Sequence, residues 1–216
     1  VKRALIVDTE TTALTPETGR CIEIGCILYD LEHAAPIASY AGLFPSDDNP
    51  AMGVNGIRPE LLRETFGDWT LPVAWANSSD VVLAHRAEFD RQWVPEEMLA
   101  LPWVCTKFHV RWPRGKYGDH LVHLALAHGV PLTHAHRALT DCDTLARLLT
   151  RVAEFRDICE MIRLAMRPRM KVRALVSYDN RELAKSAGFA WDADRKIWWR
   201  EVFEDEEFSF EVKRFE

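Results

Sequence analysis

Hydrophobic and polar positions along the chain fall into blocks that predict strands first and helices later. Ala4 to Val7 is an unbroken apolar run, the signature of a buried strand, and it runs into the polar segment Asp8-Thr9-Glu10-Thr11. Arg20 to Tyr29 and Pro36 to Leu43 predict two further strands, joined by a hairpin connection over Asp30 to Ala35. Pro50 to Glu64 predicts a loop and a short helix with Pro59 near its start. Thr70 to Asn77 predicts a second helix, and Asp80 to His85 a fourth strand. Glu88 to Ala100 has helical spacing, with Phe89, Trp93 and Leu99 facing a core.

Trp103 to Thr106 predicts a last short strand. Asp119 then stands as the N-cap of a helix through His128, closed by Gly129 and Pro131. Arg137 to Met166 is helical in pattern, over more than one helix. Three strands followed by a strand alternating with helices is an α/β arrangement with a mixed sheet. A boundary is expected at Met161 to Tyr178, which holds Arg163, Arg167, Arg169, Lys171 and Arg173 with no acid and is broken by Pro168. Beyond it, Val172 to Ser177, Arg181 to Ala187, Lys196 to Arg200 and Glu207 to Phe215 predict a small β-α-β-β unit. Phe189, Trp191 and Trp198 are its expected core. The division is therefore residues 1–166 and a small α+β module over 167–216.

Composition narrows the function classes. At 216 residues with 48% hydrophobic content the chain can bury a substantial core, and no apolar stretch is long enough to span a membrane. Val1-Lys2-Arg3 leads into a strand and acids, so no signal peptide is visible. Cys21, Cys26, Cys105, Cys142 and Cys159 are odd in number and form no C-x-x-C, which argues against a disulfide framework or structural zinc and fits the cytoplasm. With a net charge of −6, a polyanionic substrate would have to be met by local basic patches and by metal.

Asp8 and Glu10 lie two apart in an extended segment, so both project to one side. Carboxylates held that close repel unless they share a proton or bind a cation, and hard divalent metals prefer such oxygens. Alone, a D-x-E reads more readily as a strand that simply runs into a polar turn. Asp90, Asp141 and His136 are equally unremarkable one at a time: helix-start acids favoured by the dipole, and a histidine at a loop–helix junction.

Together and in this order they resemble the DEDDh group of 3′–5′ exonucleases, of the DnaQ-like superfamily. D-x-E closes the first strand, an F-D follows about eighty residues on, and H-x4-D comes about fifty after that. The resemblance covers about Arg3 to Leu149. Within the group it is nearest to the exonuclease X family, on Ala51 to Leu62 (AMGVNGIRPELL), Trp103 to Gly118 (WVCTKFHVRWPRGKYG) and His136 to Cys142 (HRALTDC).

The resemblance implies a ribonuclease H-like mixed sheet flanked by helices and a site for two divalent ions, Mg²⁺ or Mn²⁺. Asp8, Glu10, Asp90 and Asp141 would be metal ligands, and His136 the base that takes a proton from the attacking water. Asp8 would bridge both ions. Thr11, Thr12, Ala13 and Leu14 match the segment that packs on the 3′-terminal nucleotide, with Leu14 a wedge or simply a buried turn residue. Asn55 and Ile57 match its pocket, where His is common instead of Asn55. Arg86 stands where relatives carry Asn in H-N-x-x-F-D and would reach a phosphate. Ala13 stands where Gly is frequent, which implies a negative φ. Phe89, Lys107, Arg111 and Lys116 complete the expected substrate contacts.

His120, His123, His128 and His134 lack a cysteine at ligand spacing and are read as surface or packing residues. Cys142 is read as a small buried hydrophobe. Trp198, Trp199, Lys196 and Arg200 of the module, with the basic linker, would offer stacking and phosphate contacts to nucleic acid, or would be core and solvated surface.

The reading is thus a 3′–5′ exodeoxyribonuclease of repair or proofreading that releases nucleoside 5′-monophosphates from single-stranded or frayed DNA ends. DNA is preferred to RNA as partner, and no membrane is expected. The resemblance also admits a homodimer and association with repair or replication proteins. The alternatives left open are an exoribonuclease of RNase T type, a non-catalytic nucleic-acid-binding or polymerase-associated subunit, and a metal-bound structural domain.

Overall fold

A strand buried on both faces organises the first half of the chain. In the computed structural model, which describes residues 1–132 and 136–215, this is β1 (Arg3–Thr11). It pairs antiparallel with β2 (Cys21–Asp30), which pairs antiparallel with β3 (Ala35–Leu43). Three one- or two-turn helices follow, α1 (Met52–Asn55), α2 (Pro59–Leu62) and α3 (Thr70–Asn77). Next come β4 (Val81–Ala84), α4 (Ala87–Asp90), α5 (Glu96–Leu99) and β5 (Trp103–Cys105). Helices α6 (Leu121–Ala127), α7 (Ala138–Ala153) and α8 (Ile158–Ala165) complete this unit, Val1–Met166.

The sheet order is β3-β2-β1-β4-β5, with β4 and β5 parallel to β1. Alternation along β1 splits the core into two layers. Ala4 and Ile6 pack with Leu124, Leu145, Leu149 and Ile162 from α6, α7 and α8. Leu5 and Val7 pack with Ala76, Ala87 and Met98 from α3, α4 and α5. This is the mixed, helix-flanked sheet expected from the sequence. No described helix is long and apolar enough to cross a membrane.

Local corrections have local causes. The expected helix over Glu88 to Ala100 is instead the two single turns α4 and α5. Pro95 has no N–H to continue the ladder and sits at φ −58°, ψ 153° as the cap of α5. Asp119 is not the N-cap of α6; that position is His120. The Asp119 carboxylate instead accepts the Lys116 N–H at 2.6 Å inside the preceding loop.

The second unit, Arg167–Glu216, is a four-stranded antiparallel sheet with a 3-10 turn (Tyr178–Asn180) leading into an α-helix. Its elements are β6 (Arg169–Ala174), α9 (Arg181–Ser186), β7 (Ala190–Asp192), β8 (Ile197–Phe203) and β9 (Val212–Arg214), in sheet order β7-β8-β6-β9. The short strand β7 is an addition to the expected pattern. Val172, Ala184, Phe189 and Val202 form the core, with Met170, Trp198 and Val212 packed against it. Trp191 is not core: it lies on the edge strand, its ring centroid 5.4 Å from that of Trp198 in a tilted contact, and stays 50% exposed.

Candidate active site

The end of β1 carries the acids to a point between the two helical layers. Asp8 and Glu10 continue the side of the strand that Ala4 and Ile6 define, toward α7, whereas Thr9 faces α4. The first turn of α7 reaches this point because β2 has Gly25 opposite Asp8. A Cβ on Gly25 would lie 2.3 Å from the Ala138 carbonyl carbon and the Leu139 nitrogen, so only glycine lets the helix settle there. Asp141 in that turn then joins Asp8 and Glu10, with one oxygen from each within 4.8 Å of the others.

Asp90 arrives from the other layer. It is 2% exposed, and its Oδ1 accepts both the backbone N–H and the hydroxyl of Thr9, at 3.0 and 2.9 Å. The residue between the two acids of D-x-E therefore fixes the third acid. His136 precedes α7 with φ 63°, a left-handed conformation that non-glycine residues adopt rarely. Its backbone N–H donates to Asp141 Oδ2 at 3.2 Å, which leaves the ring exposed at the cleft.

Electrostatics mark the same place. Burial, then the charges of Asp90, Asp141 and Glu10, push the Asp8 carboxyl well above its ordinary range. Burial and Asp141 push Glu10 up to about 8. Burial raises Asp90 to about 7 against the two Thr9 hydrogen bonds, and burial raises Asp141. Four carboxyls that burial, and for Asp8 and Glu10 also the neighbouring acids, hold above their ordinary range are a donor set suited to a hard divalent cation.

All five expected catalytic residues line one cleft of about 430 Å³. Thr11, Thr12, Ala13, Leu14, Asn55, Arg86 and Phe89 line it too. Leu14 is 76% exposed at its edge, so it is not a buried turn residue. Ala13 has no positive φ, whereas Arg86 adopts φ 109° at the head of α4, its guanidinium 5.9 Å over the Phe89 ring. The remaining expected contacts lie elsewhere. Ile57 is 1% exposed in a small core with Ile22 and Leu62. Lys107, Arg111 and Lys116 are not among the lining residues, although burial and the Arg86 charge lower the Lys107 ammonium from its usual value.

Asn55 is held tightly. Its Oδ1 accepts from Asn49 Nδ2 at 2.8 Å and from the Ile57 N–H at 3.0 Å, while its own buried Nδ2 has no partner among the described residues. Of the other histidines, His120 and His123 are exposed and His128 is buried against Leu124 O, while His134 lies outside the described residues. Cys142 is buried with its thiol on Gly25 O.

The sequence reading missed Glu23, Arg137 and His85. Glu23, buried in β2 across from Glu10, takes the Arg137 guanidinium in a fork and accepts the Ala138 N–H at 3.0 Å. It thereby caps α7 from a neighbouring strand. The visible signal was the single acid within the apolar run of β2. His85 ties the end of β4 to Thr106 and the Asp119 carbonyl, at 3.0 and 3.1 Å, and burial holds its ring down to about 4, so it is neutral. Pro50, Ala51 and the exposed Val54 are further cleft residues.

Residues 170–215 match a family model described as a domain of unknown function (DUF8626). No curated protein matches the chain. Among solved structures the chain is similar to exonuclease X in complex with 5′-overhanging duplex DNA, at 24% identity over 75% of this chain and 99% of that one, TM-score 0.55. It is similar to the zinc-bound E. coli exonuclease I–single-stranded DNA complex, at 17% identity over 80% of this chain, TM-score 0.57, and spans 48% of that protein. It is also similar to a 3′-exonuclease that recognises the histone mRNA stem-loop, at 12% identity over 97% of this chain and 94% of that one, TM-score 0.61. At these identities the common property is the ribonuclease H-like exonuclease fold.

Proposed function

We propose that this chain is a metal-dependent 3′–5′ exodeoxyribonuclease that releases nucleoside 5′-monophosphates from single-stranded or frayed DNA ends. The observation that carries the reading is the convergence of Asp8, Glu10, Asp90, His136 and Asp141 on one cleft, with three of the carboxylates within 4.8 Å. The similar fold of nucleases solved with DNA supports it.

Asp8, Glu10 and Asp141 would hold one divalent cation, and Asp8 with Asp90 a second. Two such ions supply a more acidic water, charge neutralisation at the phosphoryl oxygens and stabilisation of the leaving 3′ oxygen. The chain's own residues do the rest. The His136 ring, exposed beside Asp141, takes the proton of the attacking water; imidazole is the side chain that exchanges protons near neutrality. Leu14 and Val54 give the cleft apolar edges against which a terminal base is unstacked. Asn55 Nδ2 donates to that nucleotide, and Arg86 meets a phosphate. A cytoplasmic site of action in repair or proofreading fits five free thiols.

An RNA substrate is the second reading, favoured by the similar fold of the enzyme solved on an mRNA stem-loop. The test is digestion of 5′-labelled single-stranded DNA with Mg²⁺ or Mn²⁺, beside RNA of the same sequence and an Asp8→Ala control. A metal-dependent ladder shrinking from the DNA 3′ end, absent in the control, is expected. Preferential laddering of RNA would move the enzyme to RNA, and no cleavage of either strand would leave a binding subunit.

A further inference from the structure

The sheet of the second unit has two unlike faces. Met170 and Val172 of β6, Trp198 and Val202 of β8 and Val212 of β9 turn toward the core with α9. Strand alternation therefore puts Arg169, Lys171, Arg173, Trp199, Glu201 and Lys213 on the opposite face, where Glu201 stands across from Lys171 and pairs with Arg169. Of the aromatic and basic residues singled out in the sequence, Trp198 and Arg200 belong to the core side. Arg200 is tied there to the Ala187 carbonyl and to Glu206. Trp199 is the tryptophan of the outer face.

Register places three of these side chains in one row. Arg173 pairs directly with Trp199 on β8 and with Lys213 on β9. Ala190 on β7, directly opposite Trp199, is too small to cover the indole from that side. Lys171 brings its ammonium to 5.9 Å from the Trp199 ring. Two cations directly opposite each other on neighbouring strands repel, yet neither Arg173 nor Lys213 is in an ion pair with an acid among the described residues. Glu201, the acid of β8 on this face, is engaged by Arg169 at 3.3 Å, and in the β8–β9 connection Asp205 pairs with Arg167 and Glu206 with Arg200 of the core side. Arg173 and Lys213, two cations in no such pair beside a half-buried indole, are complementary to a polyanion that carries flat rings.

We propose that this face binds single-stranded DNA, with a base on Trp199 and phosphates on Lys171, Arg173 and Lys213. The choice of DNA rests on the exonuclease reading above; the face itself does not. The test uses the full chain carrying Asp8→Ala, in EDTA, so that bound DNA stays intact. Binding of 5′-fluorescein oligo(dT) of about twenty nucleotides is followed by anisotropy across a salt series, beside an RNA of equal length.

Arg173→Gln with Lys213→Gln is expected to weaken binding at least fivefold at low salt. It should also flatten the log–log salt slope by about 1.4, at roughly 0.7 per phosphate contact on a single strand. The melting temperature should not fall, because a repulsion is removed. Trp199→Leu is expected to weaken binding with little change in slope. Unchanged affinity and slope in the double glutamine variant would overturn the proposal, as would tighter binding of RNA that depends on the same residues. Salt-sensitive binding by the parent with no digestion by the unsubstituted chain would sink the nuclease reading and keep the face. Digestion with binding indifferent to the two glutamines would do the reverse.

Discussion

Glu23 grips Arg137 at 2.6 Å with one carboxylate oxygen and accepts the Ala138 N–H at 3.0 Å with the other. One buried acid on β2 thus fixes the backbone that leads from His136 into α7, and with it Asp141. Removing it strips a helix cap and leaves Arg137 without its partner. Glu23→Ala is expected to cost about 2 kcal/mol in denaturant unfolding and to slow cleavage tenfold or more. Arg137→Ala leaves the Glu23 charge buried and should cost at least as much. Parent-like stability in both variants would show that α7 is anchored by packing alone.

Gly25 tests the approach of α7 by a different route. A methyl group there meets backbone atoms of Ala138 and Leu139 at 2.3 Å, and backbone cannot swing aside as a side-chain tip can. The helix must back away from β2, and Asp141 moves with it. Gly25→Ala is expected to weaken Mn²⁺ binding, read by calorimetry, and to cut turnover by two orders of magnitude or more. An unaltered metal affinity would mean that Asp141 is not placed by this contact.

The parts of this arrangement that sequence reveals are those encoded within one element. β1 is legible because a strand buried on both faces must be continuously apolar, and its two acids because strand alternation is local. The contacts that turn acids into a site are tertiary. Thr9 binding Asp90 and Glu23 capping α7 join residues 81 and 115 positions apart, and neither has a periodic signature. Ile57 illustrates the opposite error: next to Asn55 in sequence, it turns into a core with Ile22 and Leu62. Pro95 and Asp119 show that a breaker and a thirsty carboxylate can override helical spacing.

The crowded carboxylates make stability depend on pH in a defined window. Glu10 has an ordinary value of 4.5 and is held up to about 8, so between these values the folded chain keeps a proton that the unfolded chain has lost. Stability therefore falls as pH rises through the window. Asp90, raised to about 7, acts in the same sense. His85, held down to about 4, opposes them, but only below its ordinary 6.5, and the buried thiols act only at higher pH. From pH 6.5 to 8 the metal-free protein is expected to lose a few degrees of melting temperature. Mg²⁺ or Mn²⁺ should restore them, more at pH 8 than at 6.5, because a cation takes the place of the proton. Asp8→Asn should raise the metal-free melting temperature while abolishing cleavage and the metal-induced shift. A flat profile without metal would show that burial in the cleft does not hold the Glu10 and Asp90 carboxyls up.

Asn55 offers a test of substrate binding separate from the metal ligands. Its Oδ1 is already engaged by Asn49 and by the Ile57 backbone, which fixes the amide and leaves Nδ2 as a buried donor at the cleft with no partner among the described residues. An unpaired buried donor costs roughly 1–3 kcal/mol, which a nucleotide acceptor would recover on binding. Asn55→Asp retains an oxygen for Asn49 and Ile57 but has no N–H to offer. It is expected to raise KM for a single-stranded substrate about tenfold or more and to change kcat less, since the residue lies outside the acid cluster. A fall in kcat at constant KM would instead place Asn55 on the reacting phosphate. Unchanged kinetics would leave the orphaned amide without a role in binding.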